Sequence, residues 1–288
     1  MNKELRRWTP LFVWPTLTAF IIGFVWPFCR GLYLSFCRFI TVGDAQWVGF
    51  ENYITACKDP AFLYSFLLTC AFAVVSVVVI NVSAFAIAKA LTDHLPGRNV
   101  YRTVFFSPNL IGGIVLGYIW QLIINSFLAP YGTALALDAR YGFWGLVILT
   151  AWQQIGYMMI IYIAGLQSVP DSLYEAARMD GATPRQILFK ITLPMVMPSI
   201  TVCTFLTLTG AFKLFDQNLA LTGGAPGLQT GDTTLRLSEM LALNIYNTFY
   251  NSSAARGVGQ AKAVLFSLLV AVIALLQLYW TKRREVQQ

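Results

Sequence analysis

Residues 169–198 read VPDSLYEAARMDGATPRQILFKITLPMVMP, a polar interruption between two long apolar segments. Locally they spell two short helices and a turn. Ser172 with Glu175 three residues on has the form of a capping box, Thr183 with Gln186 has the same form, and Pro184 falls at a first helical position. Gly181 lies where the first helix must end and the chain reverse. Leu173, Ala176 and Ala177 recur at helical spacing, which gives the first helix a small apolar face while Glu175 and Arg178 stay polar. Such a face suits docking, and it equally suits a solvated, capped loop.

The surrounding composition narrows the choice. Of 288 residues, 57% are hydrophobic and 11% charged, whereas soluble domains carry about 25% charged residues. So little charge cannot cover a water-facing surface, and the chain belongs in a lipid bilayer. The net charge of +7 is not gathered into one basic patch. Lys and Arg lie between apolar runs, which points to orientation in the membrane and away from nucleic acid. Of five cysteines, Cys29, Cys70 and Cys203 fall inside apolar segments as small hydrophobes. Cys37 and Cys57 are the one pair placed for a disulfide outside the membrane. There is no CxxC pair, and the single His94 sits in a short polar loop, so no metal site is expected.

Six spans are expected, at about 11–36, 61–91, 104–128, 143–167, 195–214 and 261–280, in one membrane domain covering 11–284 with tails 1–10 and 285–288. The first apolar run is too long for a signal core and no A-x-A-like cleavage site follows it, so it is expected to stay as an anchor. Pro108 and Gly112-Gly113 break the third span early, which requires a neighbouring helix or a cavity to satisfy the freed backbone groups, so this span is expected to face protein. The longest polar region, 216–259, contains Leu237, Leu241, Ile245 and Phe249 at four-residue spacing, the pattern of an amphipathic surface helix. An even number of spans puts both termini on one side. That side holds Lys3, Arg6, Arg7, Lys89, Arg98, Arg102, Arg178, Arg185, Lys190, Lys282, Arg283 and Arg284, twelve of the twenty basic residues, against six on the other. By the positive-inside rule both termini and residues 170–194 are cytoplasmic, and 216–259 faces outward.

The spans are almost free of ionisable residues, which an ion-coupled carrier needs at depth. Lys89, Lys213 and Asp216 lie near predicted span ends, although Gln153, Gln154 and Asn81 keep a secondary carrier open as an alternative. One histidine makes a membrane hydrolase a poor fit, and no G-x-x-x-x-G-K-[ST] loop is present for nucleotide. Energy for uphill transport would therefore come from a partner.

Glu175-Ala176-Ala177, Gly181, Ile191, Leu193 and Pro194 have the form EAA, three residues, G, nine residues, I-x-LP. This resembles the signature loop of membrane permease subunits of binding-protein-dependent ABC importers. VGFENYITACKDPAF at 48–62, YRTVFFSPNLIGGIVLGYIWQ at 101–121, FDQNLALTGG at 215–224 and GVGQAKAVLF at 257–266 extend the resemblance over nearly the whole chain. They are similar to the carbohydrate-uptake branch, and to the first permease of its pair. GGAP at 223–226 departs from the GGGP common in that branch, which puts the detailed shape of the outer loop in question.

The resemblance implies an all-α integral membrane protein of six transmembrane helices with a cytoplasmic coupling-helix loop between the fourth and fifth. It implies a second related permease, two ATPase subunits carrying ATP and magnesium, and an extracytoplasmic solute-binding protein, with no catalysis and no cofactor on this chain. Its ATPase-coupling residues would be Glu175, Ala176, Ala177, Arg178, Asp180, Gly181, Leu193 and Pro194. The substrate path would include Thr207, Gly210, Lys213, Asp216, Gln217, Asn218 and Gln153; alternatively Lys213 and Asp216 form an ion pair near the outer end of the fifth span. A sugar is the implied cargo, with a glycerol phosphoester as the alternative.

Overall fold

The computed structural model describes residues 13–92, 96–230 and 233–282. Lys3, Arg6, Arg7, His94, Arg283, Arg284 and both expected tails lie outside the described residues. The helices in chain order are α1 (Val13–Leu34), α2 (Glu51–Lys58), α3 (Pro60–Thr92), α4 (Arg98–Phe106), α5 (Gly113–Leu128), α6 (Ala139–Gln167), α7 (Asp171–Met179), α8 (Pro184–Met195), α9 (Met197–Phe212), α10 (Asp216–Leu221), α11 (Leu241–Asn251) and α12 (Arg256–Lys282). Strands β1 (Cys37–Arg38) and β2 (Gln46–Trp47) pair antiparallel with Cys37 opposite Trp47. Strands β3 (Gly227–Thr230) and β4 (Thr233–Arg236) pair with Gly227 opposite Arg236. Among the described residues five helices are long and apolar enough to cross a membrane, and the bent pair α8–α9 brings the number to six if it counts as one span.

Several boundaries differ from the sequence expectation. The fourth span starts at Ala139 because Asp138 caps it, accepting from the Arg140 amide at 2.8 Å. The third span is split into α4 and α5 by a short 3₁₀ turn, Ser107–Leu110. Leu237 lies in a turn before α11, so the expected four-residue stripe begins only at Leu241. Cys37 and Cys57 are both free, the first buried and the second exposed.

The described residues form two compact units. The smaller comprises residues up to Asp59 together with 245–267. Its centre is Leu34, Cys37 and Phe39, packed with Ala45 and Phe249. Asn52 is buried and donates to the carbonyls of Ser35 and Cys37, both at 2.9 Å, which ties α2 to the strand that follows α1. Lys262 is buried too, and its ammonium meets Asp59 Oδ2 at 2.6 Å and Thr248 Oγ1 at 2.8 Å.

In the larger unit α3, α6 and α9 enclose the core, with Ile80, Ala84, Ala88 and Leu91 against Met158, Met159, Tyr162, Ile163, Leu166 and Cys203. The buried stripe of α3 carries Ser65, Thr69, Ala73, Ser76, Ala84 and Ala88. In lipid there is no hydrophobic drive between helices, so close approach of small residues and the dispersion it brings must hold them. Gly156 shows how close: a Cβ there would lie 1.8 Å from the Phe105 carbonyl oxygen, so the end of α4 fits against α6 only because residue 156 has no side chain.

Candidate functional site

The stretch 169–198 folds as two helices around a tight reversal. Pro170, with its preset φ, leads directly into Asp171, whose carboxylate suits a first helical turn. The helix therefore starts ahead of Ser172, and the Ser172–Glu175 box does not form. The second box is present: Gln186 donates its amide to Thr183 Oγ1 at 3.4 Å, and the Thr183 amide donates to Gln186 Oε1 at 2.7 Å. Between the helices, the Ala182 amide reaches the Ala177 carbonyl at 2.9 Å and the Gly181 amide reaches the Arg178 carbonyl at 3.1 Å. This is the Schellman pattern, and it requires the left-handed φ of +74° that Gly181 adopts. Pro194 has no N–H for the Lys190 carbonyl and its ring presses toward it. The wider π turn at Leu188–Thr192 makes the room, and α8 then meets α9 at a 69° bend around Val196.

Glu175, Ala176, Arg178, Asp180 and Gly181 are exposed, and Met179 among them is 89% exposed. Ala177 is not: it is buried on the inward side, so of the two small residues expected on one docking face only Ala176 is open. Tyr174 and Met195 pack on the core of α3, α6 and α9, and Leu193 and Pro194 are half-buried. The segment is thus fixed on its inner side and open on its outer side.

A second polar region forms where two helices break at the same level. Gln153 is buried at the centre of the 29-residue α6. Its Nε2 donates to the Ile111 carbonyl at 3.0 Å, satisfying a group freed by the break between α4 and α5. Its Oε1 accepts from Gln217 Nε2 at 2.8 Å, and Gln217 lies in α10, just past the break that ends α9. A Cβ on Gly113 would meet Asp216 and Gln217 at about 3 Å, so the start of α5 abuts the start of α10. Further along, Gln121 Nε2 donates to the Leu221 carbonyl at 3.0 Å, and Gly142 near the start of α6 faces Thr222 and Ser238. The fifth apolar segment therefore continues as α10 alongside α6, and Asp216 and Gln217 are level with the middle of α6.

The expected path residues divide accordingly. Gly210, Lys213 and Asp216 are exposed and Gln217 is half-buried beside them. Among the described residues no ion pair joins Lys213 to Asp216. Asn218 is fully buried, donating to Thr222 Oγ1 and the Ser238 carbonyl and accepting from the Met240 amide, so it holds the loop that follows α10. Thr207 is buried and accepts from Asn81 Nδ2 at 3.3 Å, while Asn81 Oδ1 accepts from the Tyr162 hydroxyl at 2.8 Å. This network joins α3, α6 and α9. Tyr162 and Ile111 carry no mark in the sequence, although the Pro108–Gly113 break signals that some polar group must lie opposite.

Residues 95–286 match the family described as binding-protein-dependent transport system inner membrane component. The chain is 42% identical to the "Probable starch degradation products transport system permease protein AmyD" of Thermoanaerobacterium thermosulfurigenes, over 97% of this chain and 96% of that one. It is 28% identical to the "sn-glycerol-3-phosphate transport system permease protein UgpA" of Brucella abortus, over 94% and 93%. In fold it is similar to a chain of a bacterial ABC transporter involved in the import of the acidic polysaccharide alginate, with TM-score 0.80, 20% identity and 98% of each chain covered.

Proposed function

The chain belongs to the family of binding-protein-dependent transport system inner membrane components, and from that premise we propose that it is a permease subunit of an ATP-driven sugar importer. It works with a second, related permease, two ATPase subunits and an extracytoplasmic binding protein that delivers the solute. ATP and magnesium belong to the ATPase subunits; this chain contributes no catalytic group and no cofactor. The likeness to a starch-product permease supports the sugar cargo. A glycerol phosphoester is the second reading, favoured by the glycerol phosphate relative and by the exposed ammonium of Lys213.

The domain spans 11–284, between cytoplasmic tails 1–10 and 285–288. Residues 170–194 face the cytoplasm, and of the region 216–259 the part beyond α10 faces outward, on the strength of the basic-residue distribution. The observation that carries the coupling role is the hydrogen-bonded reversal at Gly181, packed on one side and exposed on the other. Leu173, Ala176 and Met179 offer an apolar surface, and Glu175, Arg178 and Asp180 offer charges to an ATPase cleft. Because Leu193 and Pro194 join this reversal to α9, closure of the ATPase dimer moves α9 as a rigid body. Solute then passes Gly210, Lys213, Asp216 and Gln217, where carboxylate, amide and ammonium groups can hydrogen-bond to hydroxyls. Thr207, Asn218 and Gln153 support this surface from behind.

Gly181→Val tests the coupling role. In the reconstituted transporter, uptake and solute-stimulated ATP hydrolysis are expected to separate while the amount of inserted permease stays normal. Normal uptake by the variant would overturn the assignment.

A further inference from the structure

α2 presents three distinct stripes. Asn52 and Ala56 turn inward, with the Asn52 amide committed to Ser35 and Cys37 and packed close to Gly257, so the helix cannot roll. Glu51, Thr55 and Lys58 form an exposed polar stripe. Phe50, Ile54 and Cys57 form an exposed apolar one, with Phe50 and Ile54 68% and 54% exposed. An apolar stripe beside a charged one on a short fixed helix is the pattern of a segment lying in a bilayer interface.

What covers the apolar stripe follows from its continuity with α1. Trp47, 62% exposed, stacks on Phe36 at 5.2 Å and tilts over Tyr33 at 5.8 Å, and Tyr33 belongs to the last turns of α1. Phe50 meets the same Phe36 edge-on at 5.4 Å. α1 is itself a membrane span with almost none of its surface buried in the chain, so its exposed Trp26, Phe28 and Leu32 need an apolar environment. Ring contacts thus join the last turns of α1 to Trp47 and Phe50 through Phe36, and the exposed Trp47 and Tyr33 lie where α1 ends. Trp and Tyr favour that depth because one end of each ring is apolar and the other polar.

We propose that Trp47 and the Phe50–Ile54–Cys57 stripe of α2 rest in the headgroup boundary of the bilayer where α1 leaves it. They set the depth of α1, while Glu51, Thr55 and Lys58 face water. The proposal rests on the membrane reading given above.

Nitroxide labels test it in the assembled transporter in phospholipid vesicles. Single cysteines are kept or placed at Cys57, Ile54→Cys and Phe50→Cys on one stripe, at Glu51→Cys, Thr55→Cys and Lys58→Cys on the other, and at native Cys29 in α1. The ratio of oxygen to nickel-chelate accessibility is expected to be severalfold higher at 50, 54 and 57 than at 51, 55 and 58. Equal access of the nickel chelate to both stripes would overturn the proposal in favour of a solvent-facing helix. Exclusion of both reagents at 50, 54 and 57 would overturn it in favour of a covering subunit. A water-exposed label at Cys29 would instead sink the membrane reading itself. If the cysteine-depleted chain does not assemble, brominated phospholipids quench the otherwise native protein and its Trp47→Phe variant. The native protein is expected to lose an additional quenchable component, and identical quenching of the two overturns the proposal.

Discussion

Replacing Gly156 with alanine would place a methyl carbon 1.8 Å from the Phe105 carbonyl oxygen and 2.3 Å from its carbonyl carbon. Real Cβ atoms essentially never come closer than 3.0 Å, so α4 must retreat from α6 by more than about 1 Å. The obstacle is backbone, which has no rotamer to yield. Overpacking of this kind costs about 1–3 kcal/mol. The retreat also strains the 3.0 Å bond from Gln153 to the Ile111 carbonyl, and a side-chain hydrogen bond in a membrane contributes about 0.6 kcal/mol. A total loss of about 2–4 kcal/mol is expected. Reversible denaturant unfolding of the purified transporter measures it, with Gly23→Ala as the control, since a Cβ there meets nothing within 4 Å. Gly156→Ala should unfold at distinctly lower denaturant and transport slowly, while Gly23→Ala should match the parent. Equal stability of the two variants would refute the close-approach argument.

Gln153→Leu and Gln217→Leu, combined in a double-mutant cycle, should show a coupling of about 0.6 kcal/mol and at most about 1.7 kcal/mol; zero coupling would mean that the 2.8 Å bond does not hold α10 to α6. Asn218→Ala should destabilise the protein by about 2–3 kcal/mol, because the Met240 amide and the Ser238 carbonyl lose a buried partner, and limited proteolysis within 222–240 should accelerate. In the smaller unit, Asp59→Ala should cost about 3 kcal/mol by leaving the buried Lys262 ammonium without its carboxylate. Lys262→Met should cost less, since the Asp59 side chain keeps 25% exposure and can be hydrated; the order of the two melting temperatures decides.

Much of what depends on local chemistry was legible in the sequence, although the Ser172–Glu175 box was displaced by the Pro170–Asp171 helix start. The apolar runs, the Thr183–Gln186 box, the reversal at Gly181 and the EAA spacing are set by residues within a few positions of one another, and their physics needs no distant partner. The break at Pro108–Gly113 was legible for the same reason, as was the need for a neighbouring helix or cavity to satisfy its freed backbone. Which group fills that need was decided only by tertiary structure: Gln153 serves Ile111 on one side and Gln217 on the other. So was the level of Asp216 and Gln217, and the inward turn of Ala177. In a soluble helix, polarity periodicity reveals which face is buried. In a membrane span the lipid-facing and protein-facing sides are both apolar, so sequence periodicity leaves rotation and tilt open. Close contacts such as Gly156 against Phe105 then fix both, and with them the polar groups that meet at the middle of α6.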